Sequence, residues 1–448
     1  MNKAWAGALA GAALLVAGAF AGEARAAVST DATDSTWVDH FRASGAARDS
    51  GDFWRARDHM VRVRELLGET PGVSYQMARL DARIGDVASA LRGLSLYARS
   101  GLSRDAFGDP DFASIANDSS FTAVATRIRA NAQPVQKAQV RHTLSDAGLL
   151  AEDVAYDARG RRFFVTSIAR GEVIQVSAAG RERRFAVSPH AARWGLFGAA
   201  VDARRALLWV SEVATPTCEG HAIADSGRSA LLAYSLATAK LVRRVEVARD
   251  GRAHALGDLC VGPDGSVYAS DVTGAVLRLK TGARVFDTVA PAGTFASPQQ
   301  PALSADGALL YVADYSRGIG IVTLATGRLD WLAFEPGIAL QGIDGLLSVP
   351  GALLAVQNGV RPVRVMRFEL DATQRRVVRS LPIESGTERL GEPTHGVIAG
   401  GTYVFLANSG WDRVGKDQKL VTGADATRPV LLGIPLAGTT SPRPGENP

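Results

Sequence analysis

The stretch Leu256–Leu279, LGDLCVGPDGSVYASDVTGAVLRL, contains three short apolar segments separated by two tight turns. The first turn is Pro263-Asp264-Gly265, and the second is Thr273-Gly274. Proline presets φ at one corner, and glycine supplies the positive φ that a tight turn needs. The pattern predicts a three-stranded antiparallel meander. One such unit cannot bury its apolar faces alone, so we expect it to recur along the chain.

Five further stretches carry the same unit in imperfect form. The second strands of all six units are centred on Phe164, Leu208, Val267, Tyr311, Leu354 and Val404. The spacings between these centres are 44, 59, 44, 43 and 50 residues, the period of a propeller blade of about four strands. The sequence therefore predicts a mainly β protein with a six-bladed β-propeller over residues 139–436. The segment Gln139–Leu144 is predicted to close the last blade as its outer strand.

Residues 35–134 differ in kind, because they lack strand-like alternation and are rich in Ala, Arg and Leu. Gly51-Asp52 recurs 34 residues later as Gly85-Asp86, and a small residue follows in each case, at Ala56 and Ala90. This period resembles the tetratricopeptide repeat and predicts a small N-terminal α-helical domain. Two interpretations stay open for this domain. It is either a groove for a protein partner or a scaffold that packs against the propeller.

The composition is that of an ordinary globular protein, with a net charge of +5 and no clustered run of Lys or Arg. The charge pattern therefore gives no support to nucleic-acid binding. Met1–Ala26 has a positive start, an apolar run and an A-x-A end, which is typical of a secretory signal peptide. We expect a periplasmic or secreted protein with no membrane span after cleavage. The tail, residues 437–448, is rich in Gly, Thr, Ser and Pro and is predicted to be disordered.

The two cysteines, Cys218 and Cys260, have no Cys or His neighbour at metal-binding spacing. Export makes a disulfide between them chemically possible. Because one lies in an apolar strand and the other in a polar insertion, the sequence favours two unpaired thiols.

Candidate functional residues directly precede the innermost strands of the blades, because those positions point into the mouth of the central channel of a propeller. They are Glu152, Phe197-Gly198, Gly257-Asp258, Gln299-Gln300, Asp344 and Thr394-His395. Glu152, Asp258 and Asp344 belong to alternate blades and are predicted to converge on the axis. Three carboxylates repel one another, so a divalent cation is the natural compensation. Oxygen ligands without thiols favour Ca²⁺, with Mg²⁺ or Mn²⁺ as alternatives and Zn²⁺ less favoured. In the alternative interpretation, some of these acids are solvated or cap turns.

A second ring of polar residues follows the second strands at Ser167, Glu212, Asp271, Asp314, Asn358 and Asn408. With Gln300, the last four of these form a candidate rim for a small polar ligand. Asp, Asn and Ser side chains at such positions often cap turns instead, and this alternative also stays open.

The motifs LGDLCVGPDGSVYASD, QGIDGLLSVPG and LLAEDVAYDARGRRFFV resemble the blades of the SMP-30/gluconolactonase/luciferin-regenerating-like propellers. NHL-repeat propellers share this blade pattern. The resemblance implies a divalent metal on the axis, commonly calcium, and hydrolysis of a sugar-type lactone in some members. Glu152 and Asp344 match two of the metal positions of that family. The third position aligns with Gly257, next to Asp258, and Phe197 stands where the family has a substrate-binding Asn.

The resemblance thus favours a metal-dependent lactonase. In such an enzyme Asp344 or Asp258 would take a proton from water, and His395 is a second candidate base. The sequence has no G-x-S-x-G or H-E-x-x-H motif, which argues against a serine hydrolase or a zincin. The alternative is a non-catalytic binding or assembly module, made of an NHL-like propeller and tetratricopeptide-like helices that contact a protein partner.

Overall fold

The computed structural model describes residues 36–423 and 425–436. The predicted signal peptide and the predicted disordered tail lie outside these residues. The chain begins with helices α1 (Trp37–Asp49), α2 (Phe53–Leu67), α3 (Pro71–Arg83) and α4 (Val87–Arg99), followed by a 3₁₀-helix (Pro110–Ile115) and α5 (Ser119–Ala130). Within the described ranges, no helix is long and apolar enough to cross a membrane.

The 34-residue repeat corresponds to the start of two helices. The carboxylates of Asp52 and Asp86 cap α2 and α4, and each accepts a hydrogen bond of 3.0 Å from a backbone N–H in the first turn. The glycine before each cap has a φ of 84° or 85°, which ends the preceding helix. Ala56 and Ala90 are both fully buried, so the repeated alanine is a position of close helix packing.

The rest of the chain forms six four-stranded antiparallel sheets, the blades of a propeller. Blade 1 contains β2 (Ala151–Asp157), β3 (Arg162–Ser167), β4 (Glu172–Val176) and β5 (Glu182–Val187). Blade 2 contains β6 (Gly195–Asp202), β7 (Leu207–Val213), β8 (Ser229–Ser235) and β9 (Leu241–Glu246). Blade 3 contains β10 (Leu256–Val261), β11 (Val267–Asp271), β12 (Val276–Leu279) and β13 (Asp287–Ala290).

Blade 4 contains β14 (Pro298–Leu303), β15 (Leu309–Asp314), β16 (Gly318–Thr323) and β17 (Arg328–Trp331). Blade 5 contains β18 (Ile343–Val349), β19 (Ala352–Gln357), β20 (Arg364–Leu370) and β21 (Val377–Ser385). Blade 6 contains β22 (Gly396–Ala399), β23 (Thr402–Ala407), β24 (Val430–Pro435) and β1 (Gln139–Thr143). The predicted fold class, a six-bladed propeller preceded by helices, is confirmed.

Blade 6 closes the ring with strands from both ends of the propeller sequence. β1 pairs antiparallel with β24, and Gln139 lies opposite Gly433. The innermost strands contact one another in a closed circuit of β2, β6, β10, β14, β18 and β22. Closure leaves no free inner edge between the first and last blades.

Five of the six innermost strands share an irregularity near their start, where the pairing register with the second strand shifts. The residues at these shifts are Glu152-Asp153, Phe197-Gly198, Gly257-Asp258, Gln299-Gln300 and Asp344-Gly345. These channel positions were expected to precede the strands and instead lie inside them. In blade 6, Thr394-His395 comes directly before β22.

The helices pack on the side of the propeller formed by blade 5. Ala339 and Val360 join the apolar core of the helical segment. The buried guanidinium of Arg364 donates from Nη1 to the carbonyl oxygens of Ser100, at 3.1 Å, and Gly101, at 3.2 Å. The backbone N–H of Ser103 donates to the carbonyl oxygen of Arg361 at 2.8 Å. These contacts fix the helical segment to the propeller.

Candidate functional site at the propeller axis

Five ionisable side chains meet where the innermost strands converge. Glu152 and Asp153 come from β2, Asp258 from β10 and Asp344 from β18, and His395 precedes β22. Each of the five is at most 4% exposed. Possible ligand atoms of Glu152, Asp258 and His395 all lie within 4.8 Å of one another. We call these five residues the axial cluster.

Two glycines at the strand irregularities let neighbouring blades approach closely beside the cluster. A Cβ atom at Gly198 would lie 2.7 Å from the carbonyl oxygen of Gly257 and 2.8 Å from Cα of Asp258. A Cβ atom at Gly345 would lie 2.5 Å from the carbonyl oxygen of Thr394. The absence of a side chain at both positions is therefore what brings Asp258 and His395 to the axis.

The imidazole of His395 is oriented by the main chain of blade 1. Its Nδ1 lies 2.9 Å from the carbonyl oxygen of Glu152, an atom that can only accept, so Nδ1 carries a hydrogen. Its Nε2 lies 3.1 Å from Oδ2 of Asp258 and 3.8 Å from Oδ1 of Asp344. These distances suit ion pairs, but neither contact is aligned as a hydrogen bond, and Nε2 is left without a hydrogen-bond partner.

The acids of the cluster have different partners. Oε2 of Glu152 accepts a hydrogen bond of 2.5 Å from the indole Nε1 of Trp411. Oδ2 of Asp344 accepts one of 2.6 Å from Nδ2 of Asn358. Among the described residues, the only ion-pair partner of the Asp258 carboxylate is His395. Glu152, Asp258 and Asp344 therefore keep acceptor capacity that faces the axis.

Asp153 has a structural role instead. Its Oδ1 accepts from the backbone N–H of Val154 at 2.7 Å, and its Oδ2 accepts from that of Ala199 at 2.8 Å. The second bond joins blade 1 to blade 2. Asp153 thus contributes negative charge to the cluster while both of its oxygens are occupied.

Burial is the largest influence on the pKa values of three acids in the cluster. It raises the pKa of Glu152 well above its usual value, that of Asp153 to about 7 and that of Asp344 to about 6. Burial alone would lower the pKa of His395, but the carboxylates of Asp258, Asp153 and Asp344 together raise it well above its usual value. Four buried carboxylates around one imidazole therefore favour the uptake of positive charge.

The structure brings together all four axial residues singled out by the sequence: Glu152, Asp258, Asp344 and His395. The predicted set of metal ligands differs in one residue. The three side chains whose ligand atoms lie within 4.8 Å of one another include His395 in place of Asp344. The sequence analysis did not single out Asp153 or Trp411 as residues of the site. Side chains alternate between the two faces of a regular strand, so Asp153 is expected to point away from the axis if Glu152 points toward it. The irregularity in β2 breaks this alternation. Trp411 comes from a loop after β23, and no pattern in the sequence marks it.

Two acids of the predicted ligand rim are occupied by main-chain contacts. Asp271 accepts from the backbone N–H of Ala255 at 2.9 Å, and its other oxygen is 2.7 Å from Nδ1 of His254. Asp314 accepts from the backbone N–H groups of Ala296, at 2.7 Å, and Ser316, at 2.9 Å. Both contacts agree with the turn-capping alternative.

The other three rim residues lie closer to the blade junctions. Gln300 accepts a hydrogen bond of 2.8 Å from the backbone N–H of Leu346 and so joins blade 4 to blade 5. Asn358 contacts the axial cluster through Asp344. Asn408 has a φ of 52°, a left-handed conformation that asparagine tolerates.

Cys218 and Cys260 are both free thiols, and Cys218 is buried.

No protein-family model matches the chain, and no curated protein sequence matches it. Similar solved structures include a gluconolactonase from Xanthomonas campestris, at 16% identity over 67% of this chain and 96% of that one, with a TM-score of 0.46. A calcium-binding protein, regucalcin, from Agrobacterium tumefaciens matches at 15% identity over 66% and 97%, with a TM-score of 0.45. A luciferin-regenerating enzyme matches at 12% identity over 68% and 96%, with a TM-score of 0.45.

Two of these names, gluconolactonase and luciferin-regenerating enzyme, are those of the family that the sequence resembles. At these identities and TM-scores the likeness carries no conclusion about family, activity or ligands, and the chemistry rests on the axial cluster itself.

Proposed function

We propose that the axial cluster binds one divalent cation and that the protein hydrolyses a lactone or a related ester. The single observation that carries this proposal is the convergence of Glu152, Asp258 and His395 within 4.8 Å. All three side chains are buried, and Nε2 of His395 has no hydrogen-bond partner there. Nε2 has only the unaligned contacts to Asp258 and Asp344, and a cation bound there would satisfy the nitrogen together with the carboxylates.

The donor set fits a divalent cation. Because Nδ1 of His395 carries a hydrogen, Nε2 would present its lone pair beside the two carboxylates once a cation displaces the proton from that nitrogen. Glu152, Asp258 and His395 would hold the ion. A nitrogen ligand beside two carboxylates favours Mn²⁺ or Zn²⁺ over the Ca²⁺ expected from oxygen ligands alone. When bound, such a cation polarises a carbonyl group and lowers the pKa of a bound water.

Asp344 is the residue we assign as the general base. Asn358 fixes its Oδ2 at 2.6 Å, so Oδ1 remains to take a proton from water. The water oxygen bonds to the lactone carbonyl carbon, the bond from that carbon to the ring oxygen breaks, and the proton is passed to the departing oxygen. The product is one hydroxy acid, and no oxidant or reductant is consumed.

The second candidate function is a binding module without catalysis. The near-complete burial of the cluster favours it, because a substrate must reach Asp344, which is 1% exposed. In this alternative the cation would serve stability alone, and the helical segment would contact a protein partner.

We further propose export to the periplasm or medium on the basis of residues 1–26. Cell fractionation and N-terminal sequencing of the mature protein test the export.

The first experiment is elemental analysis of the purified protein, combined with its melting temperature with and without EDTA. We expect about one Mn or Zn per chain and a lower melting temperature after chelation. Asp258→Asn should abolish both the metal and the shift. Asp49→Asn, at an exposed helical position, is the matched control and should change neither. A protein without metal, whose melting is unaffected by EDTA, would exclude the proposed centre.

Activity separates the two functions. Hydrolysis of simple lactones by the wild type and not by Asp344→Asn would support the enzyme. Full metal occupancy with no hydrolysis of any lactone or ester in a panel would leave the binding module.

A further inference from the structure

A large cavity lies between the helical segment and the propeller. Its volume is about 1530 Å³, far more than a few ordered waters need. One wall consists of α1, α2 and α3, and the opposite wall is the loop at Gly359–Arg361 together with Tyr315. The cavity is therefore a product of the two parts of the chain and exists only when they are assembled.

The helical wall of this cavity is largely apolar. Its partly exposed side chains include Trp37, Phe41 and Leu67, and behind them lie Met60, Val63 and Leu80, which are buried in the helical core. The charged residues that line the cavity are five arginines and two aspartates, an excess of three positive charges. Arg79 is already paired with Asp109 at 3.1 Å. Apolar walls with a net positive rim suit a ligand with a hydrocarbon chain and an acidic end.

The propeller wall of the cavity is one residue away from the axial cluster. Tyr315 lines the cavity, and its hydroxyl donates to Oδ1 of Asn358 at 3.0 Å. Asn358 in turn donates to Asp344 at 2.6 Å. Gly359 leaves room for this ring, because a Cβ atom there would lie 2.5 Å from the Tyr315 hydroxyl. Tyr315 is thus the partition between the cavity and the cluster.

Arg361 stands beside this partition on the propeller wall. Its Nη1 donates to the carbonyl oxygens of Asn358, at 3.1 Å, and Val360, at 2.9 Å. The guanidinium is thereby held next to the residue that contacts Asp344. Its position suits the carboxylate that ester hydrolysis creates.

We propose that this cavity binds the hydrocarbon chain of an amphipathic lactone or ester, with its carbonyl end at Tyr315 and Arg361, on the side of the cavity nearest to Asp344. The inference rests on the proposed function, which it deepens by naming a substrate class. The helical segment then acts as half of the substrate site. A sugar lactone, which is polar throughout, would leave the apolar wall unused.

Gly45 of α1 allows this to be tested with little damage to the fold. It lines the cavity, and a Cβ atom there would have no heavy atom within 4 Å. Gly45→Trp therefore adds a large side chain where there is space, and Gly45→Ala is the matched control. Binding of decanoate, an anion with a hydrocarbon chain, is measured by calorimetry on the full chain, with gluconate as the polar comparison.

We expect the wild type and Gly45→Ala to bind decanoate and not gluconate, and Gly45→Trp to bind decanoate at least roughly tenfold more weakly. Equal binding by all three variants, or none by the wild type, would overturn the inference. Asp258→Asn should still bind decanoate, because this residue does not line the cavity.

Catalysis provides the second arm. γ-Decalactone should be hydrolysed with a kcat/KM at least roughly tenfold above that of γ-butyrolactone, and Gly45→Trp should erase this preference. Equal rates on the two lactones would refute the cavity assignment and leave the proposed function intact. Decanoate binding without hydrolysis of either lactone would refute the proposed function and leave the cavity assignment intact.

Discussion

The side-chain amide of Asn358 lies 2.6 Å from Oδ2 of Asp344, and both residues are buried. A hydrogen bond to a buried charged group stabilises a fold by about 1.5–3 kcal/mol. Asn358 also donates to the carbonyl oxygen of Pro393 at 2.9 Å, so one side chain connects blade 5 to blade 6.

Asn358→Leu keeps much of the volume of the side chain and removes both donors. We expect the free energy of unfolding to fall by about 2 kcal/mol or more, because Asp344 loses its hydrogen bond. Chemical denaturation measures the change. Tyr315→Phe, which removes only the contact to Oδ1 of Asn358, is the control and should cost about 1 kcal/mol. Equal costs for the two variants would contradict the assigned role of Asn358.

Gly345→Ala tests the close approach of blades 5 and 6. The added methyl group would lie 2.5 Å from the carbonyl oxygen of Thr394 and 3.0 Å from Cα of His395, so one strand has to move. We expect a loss of about 1–3 kcal/mol in unfolding free energy. Gly45→Ala, which meets nothing within 4 Å, should instead be neutral or stabilising by up to about 1 kcal/mol. A neutral Gly345→Ala would show that the blades are not in tight contact there.

Glu212 predicts a pH dependence that is separate from the axial cluster. The side chain is fully buried, accepts from Ser188 at 2.7 Å and has Arg244 and His190 Nε2 each at 3.4 Å. Burial outweighs these contacts and raises the pKa of Glu212 from 4.5 to about 7. The folded state therefore holds this proton more tightly than the unfolded state.

The associated stability is fully present below the unfolded pKa and is lost as the pH rises through about 7. We expect the free energy of unfolding of the wild type to fall between about pH 5 and pH 8 by about 1–3 kcal/mol more than that of Glu212→Gln. Denaturant titrations at several pH values measure the difference. Parallel pH profiles for the two proteins would rule out this role for Glu212.

The contacts of Arg364 hold the helical segment to the propeller. Its Nε donates to Oε1 of Gln357 at 2.7 Å, while Nη1 contacts the carbonyl oxygens of Ser100 and Gly101. Arg364→Met should leave these acceptors unpaired and release the helical segment to proteases at a lower protease concentration. Limited proteolysis measures the effect, with Arg367→Met, at a partly exposed position, as the control. Identical digestion of both variants would contradict the prediction.

The turn-and-strand period was enough to predict the six blades and their closure by Gln139–Leu144, because each turn is encoded locally. The same period located Glu152, Asp258, Asp344 and His395 at the axis. It could not reveal the strand irregularities, which depend on pairing between strands. Asp153 was missed for that reason.

The role of His395 depends on contacts distant in sequence. Its orientation comes from the carbonyl oxygen of Glu152, 243 residues earlier. No local pattern reports that contact, so the sequence could offer His395 only as a candidate base. The position of its Nε2 beside Asp258, and hence a nitrogen ligand for the proposed cation, emerges only from the three-dimensional arrangement.

Blade 6 combines strands from both ends of the propeller sequence, and this affects when the propeller can close during synthesis. β1 is made early in synthesis and must wait for β24, whose residues are among the last of the propeller to be added. Glu152 and His395 likewise belong to the first and last blades. The proposed cation site should therefore not form on any nascent or truncated chain that lacks blade 6, and metal loading would report that the whole ring has closed.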